Sequence, residues 1–290
     1  MKKLAILILV VGLMLPSIHT NAAANSKTNA TWIWNPWALT TAAGQNKVIN
    51  FLVKNSVTDV YLQIDLEVER KTYQQFIAKA TTNNISVHAL DGASKWALAG
   101  GQAYADSMFT WLKNYQKNSA ANQRFSGVHL DVEPYILTEW NTDRDDVVLA
   151  YQKLIKRSSQ LSTNLSLELS IDMPFWFDEI TFANTYGKSN LAKWAIKNTD
   201  SVTIMAYRNT ATGANGINSL VKTEVQYAKD AGKTINIGVE TGESEEGSNI
   251  SFYEKSKTYM KNELAKVAKA YPQENVNLAV HYIDTWMQMK

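Results

Sequence analysis

Eight times along the chain, an apolar run of strand length is followed by a stretch that carries a helical apolar stripe. The runs are TWIWN (31–35), DVYLQID (59–65), SVHALDG (86–92), GVHLDVE (127–133), LSLELSID (165–172), SVTIMAY (201–207), TINIGVE (234–240) and LAVHYID (278–284). Between them lie amphipathic stretches such as QNKVINFLVKNSV, DDVVLAYQKLIKRSSQL and YEKSKTYMKNELAKVAKAY. Parallel strands need crossover connections, and helices supply them, so this alternation selects an α/β fold. An open doubly wound sheet is the alternative. The count of eight favours a single (β/α)8 TIM barrel over residues 25–290. Only TWMQMK follows the last run, so the eighth helix is expected to be short or missing.

The opening segment, 1–24, stands outside that pattern. Lys2 and Lys3 precede an apolar core from Leu4 to Leu15, and Ala22-Ala23-Ala24 offers a small-residue cleavage site. This reads as a signal peptide, 1–24, cleaved near Ala24, and predicts a secreted protein without a membrane anchor. The sequence has no Cys, so an exported chain of this length must rest on its core instead of disulfides. Lys and Arg number 29 against 27 Asp and Glu, with no basic block, which argues against nucleic acid as a partner. The chain is expected to act as a monomer. Nine Trp and thirteen Tyr suit a ligand with flat apolar faces, such as a sugar.

Active sites of such barrels lie at the C-terminal ends of the strands. Those ends present Asp65 and Glu67, Asp91, Asp131 and Glu133, Asp172, Tyr207, Glu240, and Asp284 with Trp286. Asp91, Glu67 and Asp284 read best as caps or solvated loop acids. In GVHLDVEP the alternation puts His129, Asp131 and Glu133 on one face and Val128, Leu130 and Val132 on the other. The apolar face should meet the helices and the polar face the lumen. The fifth run repeats this, with Ser166, Glu168, Ser170 and Asp172 on one face. A carboxyl buried beside another carboxylate should have a raised pKa, which suits a general acid in glycosidic bond cleavage.

SGVHLDVEP resembles the fourth-strand signature D-G-x-D-x-D-x-E of glycoside hydrolase family 18, the chitinases and endo-β-N-acetylglucosaminidases. Gly127, Asp131 and Glu133 match, while Ser126 and His129 replace the first two acids. IMAYR resembles the sixth-strand M-x-Y-D, with Met205 and Tyr207 matching and Arg208 in place of Asp. SIDMP resembles the end of the family's fifth strand, and Trp286 resembles the Trp that floors its sugar subsite. The resemblance implies that Glu133 is the general acid and later the base. It implies that Asp131 orients the substrate N-acetyl group and that Tyr207 holds the acetamido oxygen, so that the substrate is its own nucleophile. The expected substrate is an N-acetylhexosamine-containing polysaccharide, and the replaced positions favour a glycan other than chitin. His129, Asp172, Trp34, Trp176, Met205, Glu240 and Asp65 are the further substrate-binding candidates, with Trp286 carried over from the family.

Three other readings stay open on the residues. Glu133-Pro134 and Glu240 fit a retaining glycosidase that uses Glu240 as nucleophile. His88, His129 and His281 with Asp131 could hold a metal, but their spacing lacks any ligand pattern, so neither metal nor other cofactor is expected. A non-catalytic barrel could bind glycan through Trp32, Trp34, Trp37, Trp96, Trp176 and Tyr207.

Overall fold

The computed structural model describes residues 29–290, and the export segment expected over 1–24 lies outside them. The eight barrel strands are β1 (Asn29–Ile33), β2 (Val57–Gln63), β3 (Ser86–Asp91), β4 (Gly127–Leu130), β5 (Glu168–Pro174), β6 (Ser201–Met205), β7 (Thr234–Glu240) and β8 (Val276–His281). Each pairs in parallel with the next, and β8 returns to β1, closing the barrel. The helices that follow the strands are α1 (Ala42–Lys54), α2 (Arg70–Thr82), α3 (Gln102–Lys117), α4 (Arg144–Asn164), α5 (Leu191–Asn198), α6 (Lys222–Ala231), α7 (Lys257–Ala270) and α8 (Ile283–Gln288). This is a single (β/α)8 TIM barrel, and its eighth helix is a six-residue stub. A two-stranded hairpin, Thr181–Asn184 with Gly187–Asn190, extends the β5–α5 connection and has no counterpart in the sequence reading. No helix among the described residues is long and apolar enough to cross a membrane.

Local chemistry places the helix starts. Thr41, Asn190 and Ser256 each accept a backbone N–H through the side chain at the N-caps of α1, α5 and α7. Two separate cores result. The helix-facing set includes Val128, Leu130, Val132, Leu169 and Ile171, all buried. The lumen holds Trp32, Tyr61, Leu90, Ala30 and Ala279. Strict alternation on β4 and β5 therefore turns His129, Ser170 and Asp172 inward, as the period-2 pattern requires.

The fifth strand begins later than expected. Ser166 adopts φ 56°, a left-handed turn that cannot belong to a strand, so β5 starts at Glu168. Glu168 itself is exposed at the lower rim. Two glycines make room at the site. A Cβ on Gly127 would stand 2.4 Å from His88 Nδ1, so the imidazole fills the space a side chain would need. Gly92, at φ 152°, lets the β3 exit pass where a Cβ would lie 2.1 Å from the Asp131 carbonyl oxygen.

Candidate active site

Asp131 and Glu133 emerge at the upper end of β4, and the Asp131 N–H bonds to the Asp91 carbonyl at 3.1 Å. Pro134 then opens a single helical turn that aims the chain outward. Within it, the Tyr135 hydroxyl donates to Glu133 Oε1. A phenol donor on one carboxyl oxygen leaves Oε2 as the oxygen that can carry a transferable proton. Asp131 is deeper. Its Oδ1 is buried without a hydrogen-bond partner. Burial first, then the Asp172 and Glu133 charges, push its carboxyl well above the ordinary range.

Asp172 on β5 is almost wholly buried. Burial raises its pKa to about 8, against the pull of the Trp32 indole hydrogen bond. Trp32 Nε1 donates to Asp172 Oδ2 at 3.0 Å. His129 Nε2 lies 2.8 Å from the same oxygen. That distance suggests an ion pair, but burial holds the His129 pKa well below its usual value, so the ring is neutral. Hydrogen-bond accounting agrees. The Ser170 hydroxyl donates to the Val128 carbonyl at 3.2 Å. With the hydroxyl turned to Val128, its oxygen accepts the proton on His129 Nδ1, 2.6 Å away. Nε2 is left as a bare lone pair. It can face Asp172 Oδ2 favourably only if that carboxyl is protonated. His129 thus keeps Asp172 as a neutral acid, and it stacks on Tyr61 with ring centroids 3.6 Å apart. Tyr61 is pinned in turn by Asn236 Nδ2 at 3.0 Å.

A second array crosses the lumen at β7 and β8. His281 Nε2 accepts from the Trp34 indole at 2.8 Å, which assigns the ring proton to Nδ1. Nδ1 then donates to Glu240 Oε2 at 2.6 Å. Glu240 Oε1 accepts from the backbone N–H groups of Thr241 at 2.7 Å and Gly242 at 2.5 Å. Both oxygens of Glu240 are occupied, so it serves as an anchor for the β7 exit and for His281. Tyr207, tilted over His281 at 5.8 Å, has no hydroxyl partner among the described residues. Burial and the charges of Glu240, Asp172, Asp131 and Glu133 hold its pKa far up, so the phenol keeps its proton for donation. Met205 shares the lumen face of β6 with Thr203 and is partly buried.

Aromatic side chains build the rim. Trp37 is 49% exposed, and its indole donates to Asp65 Oδ2 at 2.8 Å. Asp65 also caps its own turn through the Glu67 N–H, so it positions Trp37 and faces the ligand space only indirectly. Trp176 packs edge-on against Tyr135 at 5.0 Å, beside the Glu133 carboxyl. Trp96 is buried and stacked on Tyr104, within the helix layer. Trp286 departs from the expectation. The turn of α8 carries its ring outward into the helix-facing core, edge-on to Phe51 of α1 at 5.1 Å. The aromatic that ends β8 on the lumen side is Tyr282, packed with Trp34 against the inner cluster. The three imidazoles have separate partners, with His88 near Asp59 at 3.8 Å. No group of three or more metal-ligating side chains assembles among the described residues.

Glu133, Asp131, Tyr207, Trp34 and Glu240 therefore converge on one mouth, with Trp176 at its edge, while His129 and Asp172, expected to touch substrate, are buried beneath it and support the acids instead. Sequence reasoning missed Tyr135 and Tyr282. Neither lies on a period-2 strand face, and only the position of Tyr135 just beyond an acid could have flagged it.

The sequence matches no protein-family model and no curated protein. Solved structures are similar in shape. They include a GH39 enzyme from Xanthomonas axonopodis pv. citri (TM-score 0.57, 12% identity, 90% of this chain and 60% of that one). The spore cortex-lytic enzyme SleL from Bacillus megaterium QM B1551 aligns with TM-score 0.54 at 12% identity, over 91% of this chain and 73% of that one. A GH18 chitinase from Cycas revoluta, in complex with (GlcNAc)3, aligns with TM-score 0.52 at 12% identity, over 90% of this chain and 96% of that one. Identities this low speak for shape alone, and the shape is found in more than one glycosidase family. The chain has the (β/α)8 barrel fold that these glycosidases share.

Proposed function

We propose that the protein is a secreted glycoside hydrolase that cleaves an N-acetylhexosamine-containing polysaccharide by a substrate-assisted, retaining route. The observation that carries the reading is the acid arrangement at the β4 exit. Glu133 is anchored through one oxygen by Tyr135, with buried, proton-retaining Asp131 and Asp172 behind it. Glu133 protonates the glycosidic oxygen as its bond to C1 breaks. The acetamido oxygen of the same sugar forms the new bond to C1, and the Asp131 carboxyl accepts a hydrogen bond from the acetamido N–H as positive charge grows there. Tyr207 donates to the acetamido oxygen. Glu133, now a carboxylate, deprotonates the water that reopens the ring, returning retained product.

A Glu240 nucleophile is disfavoured because Oε1 holds two backbone N–H groups and Oε2 holds His281. The test is incubation with a panel of N-acetylated glycans and mass spectrometry of the products. Fragments that are absent with Glu133→Gln support the reading. Binding without cleavage by the native protein would leave a glycan-binding barrel.

A further inference from the structure

Arg208 stands where a glycan-cleaving barrel of the proposed kind would be expected to carry an acid, and no acid nearby neutralises it. Its Nη1 donates to the Tyr207 carbonyl at 2.7 Å. Its Nε donates to Asn215 Oδ1 at 3.1 Å. The guanidinium lies over the Phe175 ring, 5.4 Å from the centroid. These three contacts fix the plane of the fork while using two of its five N–H donors. Among the described residues, no carboxylate lies within ion-pair distance of it. The buried acids take their shifts from burial and from one another. Arg208 is partly exposed, directly follows Tyr207, and packs on the residue before Trp176.

A rigid cation with an open fork, at the lip of a mouth otherwise lined with acids, is shaped for a planar anion. A neutral sugar chain would not need it. We propose that Arg208 is a specificity residue that pairs with a carboxylate carried by the substrate, so the glycan is an acidic one with a carboxyl group on its N-acetylhexosamine backbone. The proposal rests on the glycan reading above and narrows it.

Two probes isolate the carboxylate. One is an N-acetylhexosamine tetramer with a carboxylate on alternate sugars. The other is the same tetramer with each carboxylate converted to its methyl amide. Binding is measured by calorimetry in the Glu133→Gln protein, so that turnover does not interfere, and hydrolysis is measured separately in the native protein. The acidic tetramer should bind roughly tenfold more tightly than the amide. Adding Arg208→Gln should bring that ratio to about one. Arg208→Lys, which keeps the charge and loses the fork, should retain roughly two- to threefold. A merely structural arginine would weaken both tetramers together and lower the thermal midpoint. A ratio near one before Arg208 is changed, or equal loss for both probes after it, overturns the assignment even if both tetramers are cut. A ratio that behaves as expected without any cleavage keeps Arg208 and removes the hydrolase reading. Failure of both tetramers to bind overturns both.

Discussion

Glu224 on α6 is buried, and its carboxyl oxygens find no partner beyond its own backbone. Burial, with a smaller contribution from the Asp178 charge, raises its pKa from 4.5 to about 8. Burial first, and then the Glu224 charge, push up the Tyr271 phenol. The folded-state value lies above the unfolded one. Between about pH 4.5 and 8 the folded chain therefore holds a proton that the unfolded chain has released, and stability falls as pH rises through that window. At about 1.4 kcal/mol per pH unit, the full span comes to roughly 5 kcal/mol. Water entry and side-chain relaxation reduce such figures, so about 2–5 kcal/mol is expected. Glu224→Gln keeps the shape of the neutral acid and cannot ionise. In urea titrations at pH 5 the variant and the native protein should unfold at similar concentrations. At pH 9 the variant should be the more stable by that amount. Taking the difference cancels the parallel titration of Asp131 and Asp172. A stability difference that is the same at both pH values would refute the reasoning, because it would mean that Glu224 ionises inside the fold at little cost.

Gly127→Ala should cost about 1–3 kcal/mol in the same assay, since the new methyl group meets the His88 imidazole within a packed lumen. Tyr207→Phe removes a single donor to the acetamido oxygen and should lower kcat on an N-acetylated glycan roughly 10²-fold, with little change in KM. Asp172→Asn keeps the neutral shape of the protonated acid but can serve only one of Trp32 Nε1 and His129 Nε2 at the Oδ2 position, so a partial loss of activity at pH 6 is expected and should be read in a pH–rate profile. A total loss there would show that Asp172 works as a carboxylate.

The lumen is legible in the sequence because a strand has a period of two. The alternation of GVHLDVEP alone is enough to put His129, Asp131 and Glu133 on the inner face. The same rule overreaches at Ser166, where the backbone turns left-handed before β5 begins and the alternation continues only by chance. Trp286 escapes it because closeness to a strand end does not say which way the next helical turn points a ring. The protonation of Asp172 is out of reach for a different reason. It depends on a ring from β4, an indole from β1 and a hydroxyl from β5, and no spacing within one segment encodes such a meeting. Arg208 is visible as a departure from a motif, but its uncommitted charge emerges only from its contacts.

The central claim is that Glu133 is the proton donor of a glycan-cleaving site. The most direct measurement compares native protein and Glu133→Gln on two substrates. One is an N-acetylated glycan, and the other an N-acetylhexosaminide whose aryl leaving group needs no proton. The account predicts a loss of roughly 10³–10⁴-fold on the glycan, much smaller on the first bond cleavage of the aryl substrate, with an unchanged thermal midpoint. Turnover of the glycan by Glu133→Gln at a rate near that of the native protein would contradict it.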